Sequence, residues 1–216
     1  RARGRGTIVS LNDLRAQILA ATLPELAFEG GTDKALVRGA LDAGLAPEAA
    51  ERAFPGGVAE MIRFWSQTSD QTMMEGIEAL APKPQRLSDR IAKAVRLRLE
   101  ADVDHREAVR RTASYLALPW NTTLALQCLW ATVDAIWYAV GDSATDFSWY
   151  TKRATLAAVY GATLLCWLDD ESENSEATWA FLERRIGEAS DLTTLRSRLS
   201  ARFTRPGHWR RPRTQF

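Results

Sequence analysis

Between Arg153 and Asp169 the chain carries fifteen consecutive residues, 154 to 168, without a charge. As a helix they rise about 22 Å. A bilayer core needs roughly 30 Å, or about 20 apolar residues. Lys152 and Arg153 close one end of the run, and Asp169 and Asp170 close the other. The stretch is too short to span a membrane. It reads as a helix buried on nearly every side, at the centre of an all-α domain. Ala154, Ala158 and Ala162 form one i,i+4 line, and Ala157 and Gly161 form another. Such lines either admit a neighbouring backbone closely, as dense interiors require, or leave room for an apolar ligand. The residues leave both readings open.

The rest of the chain is helical by the same test, with no strand alternation. Ser10 caps a helix carrying Leu11, Leu14, Ile18 and Leu19, which is expected to stop before Pro24. Thr32 and Asp33 start a second, with Leu36, Val37, Ala40 and Leu41 inward, ended by Ala43-Gly44. Pro47 suits the first turn of a third, residues 46 to 54, and Pro55-Gly56-Gly57 breaks the chain. A fourth helix presents Val58, Met61, Ile62, Trp65, Met73 and Ile77 on its apolar side. Two prolines in the segment APKPQR mark a boundary. The organisation expected is a helix-turn-helix-like subdomain over 1–81, a larger helical bundle over 85–188, and a basic amphipathic tail over 190–216. In the bundle, Asn121 or Thr122 caps a long apolar helix closed by Gly141. Thr145 or Asp146 caps the charge-free helix. Asn174 or Ser175 caps a last one with Trp179, Leu182 and Ile186 inward.

Net charge is +1, so the whole molecule is not built around a polyanion. Cys128 and Cys166 sit in apolar helical runs and read as buried reduced thiols. RARGRG, with no apolar or amphipathic stretch behind it, reads as an unstructured start rather than a targeting segment. His105 and His208 have no Cys, Asp or Glu at ligand spacing, no Glu-x-x-His pair exists, and no phosphate loop or nucleophile elbow is found. No catalytic residue, metal or cofactor is therefore expected.

Residues 32 to 62 have the spacing of a helix-turn-helix and resemble the N-terminal part of TetR-type regulators. A DNA reader needs donors on its second helix. Here that helix is APEAAERAF, which offers Glu48, Glu51 and a single Arg52. Carboxylates facing phosphates weaken binding, so the motif reads as a scaffold without sequence-specific DNA recognition. The alternative is a TetR-type regulator with a hydrophobic effector.

The segments LPELAFEGGTDKAL, AERAFPGGVAEMIRFW and DFSWYTKRATLAAVYGATLLCWLDD, followed by WAFLERRI, resemble the accessory proteins of coenzyme Q (ubiquinone) biosynthesis, the ninth Coq protein family, from about Leu11 to Ile186. Gly31 departs from the pattern, where an aromatic residue is expected, and the chain after Ile186 does not follow the family's tail. The resemblance implies a TetR-like fold and no enzymatic activity of its own. It implies binding of an isoprenoid lipid or quinone intermediate in the C-terminal half, and docking on the di-iron demethoxyubiquinone hydroxylase. It also implies a peripheral place on a membrane: the cytoplasmic face of a bacterial inner membrane, or the matrix side of the mitochondrial one. On that implication the lipid-binding candidates are Trp130, Val133 and Trp137 from one apolar helix, with Leu156, Ala157, Tyr160, Gly161 and Leu164 from the other. The partner-binding candidates are Asp146, Trp149, Tyr150 and Arg153. A homodimer through the last two helices is expected by analogy with TetR-like folds.

Membrane docking is also argued from the tail itself. Leu192, Leu195, Leu199 and Phe203 recur at i, i+3, i+7 and i+11, one face of a helix, with Arg196, Arg198 and Arg202 on other positions. Trp209 sits among Arg210, Arg211 and Arg213. Aromatic and basic residues suit an anionic interface. The alternative is a helix packed on the domain and followed by solvated chain.

Overall fold

The computed structural model describes residues 10–141 and 148–203, and for Ser148 and residues 191–203 the course of the backbone alone. Among the described residues the chain forms α-helices joined by short 3₁₀ turns and contains no strand. The helices are α1 (Leu11–Glu29), α2 (Asp33–Asp42), α3 (Glu48–Ala53), α4 (Gly57–Glu78), α5 (Leu87–Glu100), α6 (Arg106–Leu116), α7 (Thr122–Ala139), α8 (Ser148–Asp169) and α9 (Glu176–Phe203).

Local chemistry sets several of the ends. Ser10 and Asp13 form a reciprocal capping box, with Asp13 N donating to Ser10 Oγ at 3.1 Å and Ser10 N to Asp13 Oδ2 at 3.2 Å. Thr32 Oγ1 accepts from Ala35 N. Gly44, at φ +73°, supplies the left-handed residue that turns the chain after α2. Gly57, at φ +65°, opens α4 against Asp33, whose Oδ1 accepts from Val58 N at 2.8 Å. The expected stop before Pro24 is not observed: α1 runs through it to Glu29. Proline removes one hydrogen bond but keeps a helical φ, and burial of Leu23 and Leu26 holds the turn beyond it.

Two apolar cores share α4. Its first half, Val58 to Trp65, packs with Ile18, Leu26, Leu36, Ala49 and Phe54. Its second half, Met73 and Ile77, packs with Val95, Leu99, Val133, Ile136, Trp167 and Leu182. All six apolar residues expected on α4's inner side are buried. On α2 only Leu36 and Ala40 are; Val37 and Leu41 are exposed, because the helix meets its neighbours along one narrow stripe. The ring of Tyr115 on α6 lies where a side chain at Gly31 would begin, 2.7 Å from an added Cβ.

The charge-free helix is not buried all round. Leu156, Val159, Tyr160, Thr163, Trp167 and Leu168 face inward, while Tyr150, Ala154, Ala158 and Leu165 face out. Absence of charge does not demand burial of small side chains, and only one side of α8 meets α7 and α9. Asn121 precedes α7 but makes no cap; its Nδ2 donates to Tyr115 O. The start of α9 is capped not by Asn174 or Ser175 but by Asp170 and Ser172, which accept from Thr178 N at 2.8 Å and Ala177 N at 3.0 Å. Thr145 and Asp146 lie outside the described residues, as do the RARGRG start and Trp209. No described helix is long and apolar enough to cross a membrane.

Candidate functional site

Where α4, α5, α6, α7 and α8 converge they leave a cavity of about 340 Å³. Its walls are mostly apolar: Ile62 and Trp65 from α4, Leu99 from α5, Val109 and Leu116 from α6, Leu129 from α7, and Leu164 and Trp167 from α8. Gly161 lines it, and a Cβ built there meets no atom within 4 Å. That position borders the cavity rather than a packed neighbour. Ala158 is exposed, and neither it nor Ala162 lines the cavity. Leu165 lines the cavity while remaining 63% exposed, which puts the mouth beside it.

Part of the cavity lining is polar. Arg98 is buried and donates from Nε to Asp70 Oδ1 and from Nη1 to Asp102 Oδ2, both at 2.6 Å. Asp102 Oδ1 also accepts from Trp65 Nε1 at 2.9 Å and Ser69 Oγ at 2.8 Å, and Asp70 accepts from Thr132 Oγ1 at 2.9 Å. Burial pushes the Asp70 carboxyl above the ordinary carboxylate range, against the downward pull of Arg98 and Thr132. Burial opposes the Arg98 charge, but Tyr160, Asp102 and Asp70 outweigh it, and the guanidinium stays charged. Burial likewise pushes the Tyr160 phenol up and the Cys128 thiol up, so both keep their protons at neutral pH. Thr112 also lines the cavity, and its buried Oγ1 has no hydrogen-bond partner among the described residues. An unmade buried hydrogen bond costs about 1–3 kcal/mol.

The eight lipid-binding candidates do not form one site. Tyr160, Gly161 and Leu164 line the cavity. Trp137 and Leu156 line a separate groove of about 520 Å³ beside Ile91, Val159 and Ile186. Val133 is fully buried in the core and Ala157 packs half-buried against it. Trp130 is 39% exposed and packs on Trp149 at 5.7 Å between ring centroids. Trp149 in turn meets the exposed Tyr150 at 4.7 Å. Arg153 is buried beneath this cluster, 3.9 Å from the Trp149 ring, and ion-pairs with Asp134 at 2.7 Å. Both cysteines are free thiols, half-buried rather than buried, and Cys128 lines the cavity.

Sequence reading missed the contributions of α4, α5 and α6. A signal was present. Arg98 continues the inward stripe Ile91, Ala94, Val95, and Asp70 falls on the stripe of Met73 and Ile77. Opposite charges on two apolar faces point to a buried pair.

A helical chain with a small N-terminal helix-turn-helix unit and an apolar cavity among α4 to α8 has the architecture of TetR-type regulators. A TetR transcriptional regulator from Nitrosomonas europaea superposes with a TM-score of 0.67 at 22% identity, over 82% of this chain and 98% of that one, a likeness of fold alone. The chain belongs to the COQ9 family. Residues 122–193 match that family, seven residues beyond the end of the resemblance at Ile186. The Schizosaccharomyces pombe mitochondrial ubiquinone biosynthesis protein coq9 is 30% identical over 183 residues, 85% of this chain and 72% of its own length. The human mitochondrial ubiquinone biosynthesis protein COQ9 is 33% identical over 189 residues, and the chain spans 59% of that protein's length.

Proposed function

We propose that this protein is a lipid-binding accessory factor of ubiquinone biosynthesis. It holds an isoprenoid quinone intermediate and presents it to the di-iron demethoxyubiquinone hydroxylase, and it catalyses no step itself. The observation that carries this reading is the apolar cavity among α4 to α8, in a chain whose family is named for that pathway. Pockets of about 300–1,000 Å³ with a few convergent polar groups are the usual form of small-molecule sites.

The hydroxylase docks on the aromatic cluster of Trp130, Trp149 and Tyr150, with Asp146 beside it in sequence. Exposed, rigid aromatic groups are common anchors of interfaces. The membrane is met by the C-terminal part of α9. The helical backbone reaches Phe203, which keeps Leu192, Leu195, Leu199 and Phe203 on one helix at i, i+3, i+7 and i+11. The exposed apolar line Ala154, Ala158 and Leu165 of α8 suits a homodimer. The site of action is the face of the inner membrane where quinone intermediates lie, cytoplasmic in a bacterium and matrix-side in a mitochondrion.

The regulator reading keeps the same cavity and differs at α3. That helix has six residues, and it exposes Glu48 and Glu51 beside Arg52. Two carboxylates and one guanidinium are a poor reader of base edges and phosphates, so specific DNA is not a partner.

The test is hydroxylase turnover of demethoxyubiquinone in anionic vesicles. Adding this protein raises the rate. Trp149→Ala/Tyr150→Ala removes the increase while keeping the melting temperature and bound lipid. A rate indifferent to the protein overturns the reading.

A further inference from the structure

We propose that the separate groove bordered by α5, α7, α8 and α9 is a second site, which takes a single-chain amphiphilic anion, an aliphatic carboxylate. Its chain lies along the apolar wall and its head group meets Arg86 and Lys152. The groove shares no lining residue with the cavity among α4 to α8.

Charge supplies the first argument. Arg86 and Lys152 line the groove, and among the described residues no carboxylate does. The cavity is arranged the other way. The guanidinium in its lining, Arg98, is held between Asp70 and Asp102. An anion therefore meets opposite charge in the groove and an already paired cation in the cavity.

Hydrogen-bond donors supply the second. Trp137 is buried and lines the groove, and its Nε1 has no hydrogen-bond partner among the described residues. An indole N–H can only donate, so what it lacks is an acceptor. Lys152 Nζ lies 5.5 Å from the centroid of the same ring. A charged oxygen suits both groups. The start of α5 adds to them. Arg86, Leu87 and Ser88 line the groove, no side chain caps that helix, and helix N-termini favour negative charge. Asp89, in the same turn, lines a neighbouring groove instead.

Shape supplies the third. Ile91, Leu156, Val159 and Ile186 form an apolar wall, which a free phosphate or a short acid would leave bare. A volume of about 520 Å³ falls in the lower half of the range for small-molecule pockets. It suits one aliphatic chain rather than the paired chains of a membrane phospholipid.

The experiment is calorimetric titration of dodecanoate into the full chain, stripped of lipid, at neutral pH. Dodecanol carries the same chain with an uncharged head. Dodecanoate binds the wild type, and dodecanol binds about 10-fold more weakly. Arg86→Gln and Lys152→Gln each weaken dodecanoate about 3–10-fold and leave dodecanol unchanged, which certifies that the variants are folded. Saturating decylubiquinone leaves dodecanoate affinity as it was. Wild-type protein that does not bind dodecanoate overturns the proposal, as do equal affinities for acid and alcohol or a dodecanoate affinity unchanged in both variants. Displacement of dodecanoate by decylubiquinone overturns the second site and leaves the carrier reading standing.

Discussion

Arg98 lies between two buried carboxyl groups, and its removal separates two energetic effects. A buried ion pair adds little net stability, because desolvation offsets the attraction, yet breaking one from a single side strands a charge. Arg98→Met preserves much of the side-chain volume but leaves Asp70 and Asp102 facing each other. We expect a loss of about 3–5 kcal/mol in urea unfolding followed by circular dichroism. Adding Asp70→Asn and Asp102→Asn to Arg98→Met returns part of it. A single variant as stable as the wild type contradicts the geometry described. The cluster was only half legible in the sequence. Arg98 and Asp102, four residues apart, are a local pair; Asp70, Trp65 and Thr132 reach them from other helices, and no spacing rule joins residues 28 to 37 positions apart or more.

At the scale of elements, the turn from α8 to α9 depends on one side chain. The Asp170 carboxylate accepts from the backbone and hydroxyl of both Ser172 and Thr178. Partial burial works against its charge, but those four donors outweigh it and hold the carboxyl well below its ordinary range. A lowered folded-state pKa contributes stability above the unfolded value, which is lost as pH falls through the folded one. Asp170→Ala therefore costs about 1 kcal/mol at neutral pH, and the gap between variant and wild type narrows below about pH 4. Urea unfolding at pH 7 and pH 3 measures both; an equal gap at the two pH values refutes the assignment. Ends governed by neighbouring residues, such as Ser10, Thr32 and Gly44, were readable from sequence. Ends governed by packing were not: α1 continues through Pro24 because Leu23 and Leu26 are held by the core. Nor does an uncharged run say how much of its circumference has neighbours, which is why α8 keeps Tyr150, Ala158 and Leu165 exposed.

For the whole molecule, α4 joins two cores, and the cavity opens beside their junction, where α6 and α8 pass α4 and α7. Such a space is costly to leave empty and useful to fill with an apolar ligand. Gly161 gives direct access to this question. Gly161→Ala adds a methyl that meets nothing and relieves helical glycine entropy, so it keeps or raises stability by up to about 1 kcal/mol. Gly161→Leu grows into the cavity. The decisive measurement is the lipid content of purified wild-type, Gly161→Ala and Gly161→Leu protein by quantitative mass spectrometry of solvent extracts, paired with melting temperature. An isoprenoid lipid in the wild type, kept by the alanine variant and lost by a leucine variant of undiminished melting temperature, is the predicted result. A leucine variant that folds and retains the full lipid load contradicts the account.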